Sequence, residues 1–221
     1  MNYIQEENTN LAKICGLISK EPKFSHQVEN ENFFEFEVEV ERLSKIKDVI
    51  PVTISERTLV GKSLKIGDFV EILGEYRSYN KLFNEKSKLM LHLFAKELSM
   101  SEGEFVNEVK LVGFVCKEPV YRKTPFDREI CDVLLAINRP NYHKSDYVPC
   151  IMWGRNARFM SNQKIGCKVE IVGRIQSRQY LKTNEKGEEE SKVAYEVSCQ
   201  RIGLLSNVSN VVESKDETKI V

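Results

Sequence analysis

Lys13-Ile14-Cys15-Gly16-Leu17-Ile18-Ser19-Lys20-Glu21-Pro22 returns 97 residues later as Lys110-Leu111-Val112-Gly113-Phe114-Val115-Cys116-Lys117-Glu118-Pro119. The match continues in order with few insertions. Val40-Glu41-Arg42 meets Ile137-Asn138-Arg139, and Asp48-Val49-Ile50-Pro51 meets Asp146-Tyr147-Val148-Pro149. Lys65-Ile66-Gly67 meets Lys164-Ile165-Gly166, and Val70-Glu71-Ile72-Leu73-Gly74 meets Val169-Glu170-Ile171-Val172-Gly173. Five ordered blocks mark an internal repeat. The 221 residues therefore read as two copies of one fold, 1–102 and 103–205, followed by a polar tail, 206–221, expected to be disordered.

The second copy reads as strands. Val109–Cys116 is β-branched and apolar and closes at Glu118-Pro119; Ile130–Asn138 and Tyr147–Trp153 follow. Arg155–Asn162 has the spacing of a short helix. Lys168–Tyr180 is a fourth strand, with Gly173 inside it where a barrel bends, and Val193–Leu204 is a fifth. The charged run Asn184–Glu190 is a hairpin tip. Five strands with a short helix between the third and fourth is the order of an OB-fold barrel. The predicted fold is all-β, two tandem five-stranded OB-fold barrels, with the first copy keeping the same boundaries.

Composition excludes several classes. Lys plus Arg is 33 and Asp plus Glu is 33, so the chain is neither a polycation nor an acidic tail protein. No apolar run approaches the ~20 residues of a membrane helix. The first residues carry no secretory signal, so a cytoplasmic, nucleoid-associated protein is expected. The six cysteines form no C-x-x-C pair and no zinc-ligand spacing with the three histidines, so they read as small buried hydrophobes. No metal, no cofactor and no catalytic residues are expected, because no nucleophile–base set, P-loop or dinucleotide glycine pattern is present.

The second copy resembles the DNA-binding domain of bacterial single-stranded DNA-binding proteins. The resemblance runs through Asn107–Gly113, Glu118-Pro119-Val120-Tyr121-Arg122, Leu135–Arg139, Ile151-Met152-Trp153-Gly154-Arg155-Asn156-Ala157, Gly173-Arg174-Ile175-Gln176-Ser177-Arg178-Gln179-Tyr180 and Tyr195-Glu196-Val197. It implies a sequence-tolerant, non-enzymatic binder of single-stranded DNA in replication, recombination or repair. Such a binder needs flat rings for bases and cations for phosphates. The family's stacking positions fall on Trp153, Tyr147, Tyr180 and Tyr142. Phosphate contacts are expected from Arg178, Arg155, Arg174, Arg139, Arg158, Arg122 and Lys144, close to those aromatics. Residues 103–205 hold 17 Lys plus Arg against 13 Asp plus Glu, a balance of +4.

The first copy lacks these positions. Val49 stands in the place of Tyr147 and Ser55 in that of Trp153, with Lys81 or Tyr79 near that of Tyr180. In Phe34-Glu35-Phe36-Glu37-Val38-Glu39-Val40-Glu41 the alternation puts four glutamates on the outer face. Residues 1–102 hold 14 Lys plus Arg against 17 Asp plus Glu, a balance of −3. This copy therefore reads as an assembly unit, with a weaker binding patch on Tyr76, Arg77, Tyr79, Lys81 and Phe83 as the alternative. By the resemblance, two barrels per chain imply a homodimer of four barrels. The family's acidic, Pro-Phe-ending tip has no match in Glu213–Val221, so partner recruitment through it is not expected. The rival class is a primosome-like interaction subunit that binds protein more than DNA; an enzyme on the same scaffold lacks residues to support it.

Overall fold

The computed structural model describes residues 9–83, 86–139, 144–183, 187 and 189–205. The first half forms β1 (Asn10–Val28), β2 (Glu31–Glu41), β3 (Lys47–Ser55), α1 (Glu56–Leu59), β4 (Phe69–Phe83) and β5 (Lys86–Met100). The second forms β6 (Val106–Val115), β7 (Val120–Lys123), β8 (Glu129–Asn138), β9 (Ser145–Trp153), α2 (Arg155–Met160), β10 (Lys168–Thr183) and β11 (Glu189–Leu204).

Pairing closes each half into a ring. β1 pairs with β2, β2 with β3, β3 with β5 in parallel, β5 with β4, and β4 with β1. The second ring repeats this as β6–β8–β9–β11–β10–β6, again with one parallel pair, β9–β11. The fold is thus two five-stranded barrels with a helical turn after the third strand of each. Alternating apolar residues fill both interiors: Phe36, Val38 and Val40 of β2 are buried, as are Cys131, Val133 and Leu135 of β8. Ala157 and Met160 bury one face of α2 against the second core.

Local chemistry sets the turns. Glu29 and Asn30, between β1 and β2, both have positive φ (47° and 65°), the geometry of a two-residue hairpin whose twist matches the strands. The ladders of β4 and β10 slip by one residue at Gly74 and Gly173. There the backbone of the next strand comes so close that a Cβ would strike the carbonyls of Phe94 and Ser198. Glycine marks the bend in both barrels.

The barrels differ where the sequence predicts equal boundaries. β1 runs unbroken through Pro22, which sits at a bulge between Lys20 and Lys23. In the second barrel the strand stops at Val115 and resumes as β7, a short exposed strand on the edge of β8. The long hairpins also reach further than their sequences suggest, to Thr183 and from Glu189. The tail 206–221 lies outside the described residues.

The barrels join about a pseudo-twofold axis. β1 and β6 pair antiparallel from Asn10↔Leu111 to Cys15↔Val106, so one sheet runs through both barrels. Each barrel then grips the other's long hairpin with a buried aspartate. Asp48 accepts from the backbone N–H of Ser177 at 2.8 Å, and Ser177 Oγ accepts from Val49 N at 3.1 Å. The equivalent Asp146 accepts from Ser78 N at 2.5 Å, and Ser78 Oγ accepts from Tyr147 N at 2.8 Å. Arg42 and Arg139 hold their aspartates through two hydrogen bonds each. Both aspartates are at most 1% exposed, and a guanidinium and a backbone donor satisfy the oxygens of each.

Candidate nucleic-acid interface

β9 places its outward residues two apart, and Tyr147 and Trp153 stand six residues apart on that outer face, about 20 Å at ~3.3 Å per residue. Their rings are 44% and 37% exposed. Trp153 Nε1 donates to Ser198 Oγ at 3.2 Å, which tethers the indole across the gap between β9 and β11. Gly154 follows at φ 52°, ψ −119°, a conformation that glycine adopts readily, and it turns the chain into α2 directly after the indole. Tyr180 lies on the long hairpin, half-buried, with the Arg178 guanidinium 5.7 Å from its ring centre.

Trp153 lines a groove of about 560 Å³. Arg174, Arg178 and the intervening β10 residues form its long wall. Arg128, from the β7–β8 turn, and Arg42, from the first barrel, complete it, and no carboxylate belongs to its lining. Asp48 lies beneath and binds both Arg42 and Arg174. One buried carboxylate between two guanidiniums leaves an excess of positive charge. Burial, with Arg42 adding to it, draws the Arg174 pKa below its usual value. Rings with a cationic wall can hold bases and phosphates together.

The structure brings only some of the sequence candidates together. Trp153, Arg174 and Arg178 share the groove. Arg155 and Lys144 are exposed, with no ion pair among the described residues. Three other arginines are engaged by carboxylates: Arg139 by Asp146, Arg122 by Asp132 and Arg158 by Glu129. Tyr142 lies outside the described residues. Sequence reasoning missed Arg128 and Arg42. Arg128 has no local pattern to betray it, whereas Arg42 stands in the repeat as the counterpart of Arg139.

In the first barrel, Tyr76 is not a surface residue. It is fully buried, and its hydroxyl has no hydrogen-bond partner among the described residues. Burial, then Tyr195, Cys150 and Glu196 of the second barrel, push its pKa well above the usual value. The side chain of Phe83 is outside the described residues. The outward glutamates of β2 are all engaged: Glu37 by Lys20, Glu39 by Lys47, Glu41 by Lys45, and Glu35 by the Ser25 hydroxyl.

The six cysteines are free thiols, and burial pushes Cys199 up to about 12 and Cys131 up to about 11. No His, Cys, Asp and Glu cluster of metal-binding kind occurs among the described residues. No helix among them is long and apolar enough to cross a membrane.

Residues 106–205 match the single-strand binding protein family. The single-stranded DNA-binding protein of Enterococcus faecalis is 32% identical over 111 residues, which are 47% of this chain and 56% of that one. Single-stranded DNA-binding protein 1 of Streptococcus pyogenes is 33% identical over 89 residues, 38% of this chain and 67% of that one. The chain spans little more than half the length of most of the curated relatives it matches. The crystal structure of the wild-type single-stranded DNA binding protein from Thermus aquaticus superposes with a TM-score of 0.69, at 18% identity, over 89% of this chain and 93% of that one. At that identity the likeness speaks for the fold, and it extends over both barrels.

Proposed function

The chain belongs to the single-strand binding protein family, and on that premise we propose that it binds single-stranded DNA through the Trp153 groove. The observation that carries this reading is a half-exposed indole outside a barrel, facing a wall of arginines with no carboxylate among the lining residues. Bases stack on Trp153, Tyr147 and Tyr180, while Arg174, Arg178, Arg128 and Arg155 meet the phosphates. Stacking uses a feature every base shares, so binding is tolerant of sequence. The protein is non-enzymatic and holds or protects exposed strands in replication, recombination or repair, at the nucleoid. Residues 103–205 act as the main binding domain. Two chains pair into a homodimer of four barrels, which light scattering would read as twice the chain mass; a monomeric mass would refute that assembly.

Trp153 is the one tryptophan in the chain, so its fluorescence reports the site directly. Titration with oligo(dT) is expected to quench it strongly at low salt and less at moderate salt, with duplex DNA having little effect. Binding in an independent assay without quenching would place the strand elsewhere. No binding at all would leave the interaction-subunit reading in front.

A further inference from the structure

The first barrel carries rings on the face equivalent to that of Trp153, at other positions. In the parallel ladders Thr53 lies opposite Phe94, and Ile151 lies opposite Ser198. Phe94 therefore holds the place of Ser198, and Ser55 holds that of Trp153. The aromatic has moved one strand sideways, from the third strand of the barrel to the fifth.

Other rings surround it. His26 stacks on Phe33 with centroids 5.1 Å apart and planes 10° apart, and Phe33 is 6.0 Å from Phe94. His92 lies 6.5 Å from Phe94 and 5.2 Å from Tyr79. The Arg77 guanidinium sits 3.8 Å above the Phe94 ring. Strand alternation puts this row outside the barrel: Leu91, Leu93 and Ala95 are core, while His92 and Phe94 between them point outward and are partly buried under neighbouring side chains.

We propose that this row of five rings is a second base-stacking site for single-stranded DNA, carried by the first barrel. The proposal rests on the reading that the Trp153 face binds single strands, since the two faces are related by the pseudo-twofold axis. Two features favour a nucleic-acid strand as occupant. First, Lys81 and Lys88 face each other across the β4–β5 hairpin beyond Tyr79, both exposed and without a carboxylate partner among the described residues. Like charges directly opposite destabilise a hairpin, and a phosphate between them removes the repulsion. Second, the His92 ring, in the middle of the row, is uncharged at neutral pH. His92 bonds to Thr53, and burial, with Arg77 nearby, draws it down to about 4. The acidity of strand β2 is largely offset, because Glu37, Glu39 and Glu41 each pair with a lysine and only Glu35, held by the Ser25 hydroxyl, keeps its charge unmatched by a cation among the described residues.

Replacing Trp153→Phe together with Phe94→Trp moves the chain's one indole to this site. Oligo(dT) is expected to quench it. A strand that binds, followed by polarisation of a label on the strand, while leaving this indole unquenched would overturn the proposal. The parent chain's Trp153 signal tests the first site separately, so failure of one reading is distinguishable from failure of the other. A second variant, His26→Ala with Tyr79→Ala, removes exposed rings and spares the core. It should weaken a long oligo(dT) about tenfold and leave a short one, confined to the Trp153 site, unchanged. Unchanged binding of the long strand, as expected if the rings seat a protein instead, would refute the second site.

Discussion

The two barrels share a backbone plan and differ in how they present aromatic side chains. The second sets single rings, Trp153 and Tyr147, apart along β9 beside a wall of arginines. The first gathers five rings across β1, β2, β4 and β5 with one guanidinium over them. A barrel face is thus a surface on which stacking groups can change strands without changing the fold, because outward positions are not needed to fill the core. What the barrels keep in common is their attachment: the Asp48 and Asp146 grips are the same device used twice.

The largest effects should come from that shared device. Asp146→Ala removes the carboxylate that Arg139 and the Ser78 N–H share, at a cost of about 3–5 kcal/mol in urea unfolding. Asp48→Ala should cost more, because Arg42 and Arg174 then face each other with no carboxylate between them. Equal losses would show that the second guanidinium relaxes into solvent and that the grips are energetically symmetric.

Acidification should separate the barrels next. The unfolded chain protonates His92 near its ordinary 6.5, whereas the folded protein keeps it neutral down to about 4. Its contribution is therefore intact above pH 6.5 and lost as the pH falls toward 4, by about 3 kcal/mol. The second barrel has Glu196 in this place, so His92→Gln should flatten the profile in that window. An unchanged slope would assign the acid sensitivity to other groups.

Binding effects are smaller. Trp153→Ala should weaken oligo(dT) binding by about 1–3 kcal/mol, and Tyr180→Ala by a similar or lesser amount. Survival of full affinity in the double variant would make the first barrel the principal site and reverse the comparison. The mildest change expected is Arg128→Ala, with a slight loss of affinity and a salt dependence shallower by about one unit, read from titrations at several salt concentrations.

The repeat made the two rings legible, because matched apolar blocks fix strands and strands of this order close in few ways. Gly173 announced its bend, and the alternation in β2 announced which side faced the core. β7 escaped notice because all four of its residues are exposed and leave no burial pattern. The unbroken β1 escaped because Pro22 and Pro119 look alike in sequence, while Pro22 lies at a bulge inside a continuous strand and Pro119 lies in the break between β6 and β7. The first barrel's rings were visible singly as Arg77-x-Tyr79 and His92-x-Phe94. Their meeting depends on register between strands, which no local pattern encodes. Tyr76 was misplaced by parity alone: it sits one step from Arg77 and so points inward.

The seam between the barrels also sets a timetable for synthesis. At roughly 5–20 residues per second, the ribosome completes β5 on the order of 4–15 s before Ser177 is made. For the first ~1–3 s of that interval the outer edge of β1 lacks its partner β6, and throughout it Asp48 lacks its backbone donor. An open edge that is built to accept an antiparallel strand will accept one from a neighbouring nascent chain as readily as its own. Crowded polysomes should therefore yield interlinked pairs of chains, and slow, dilute expression should favour correctly closed ones.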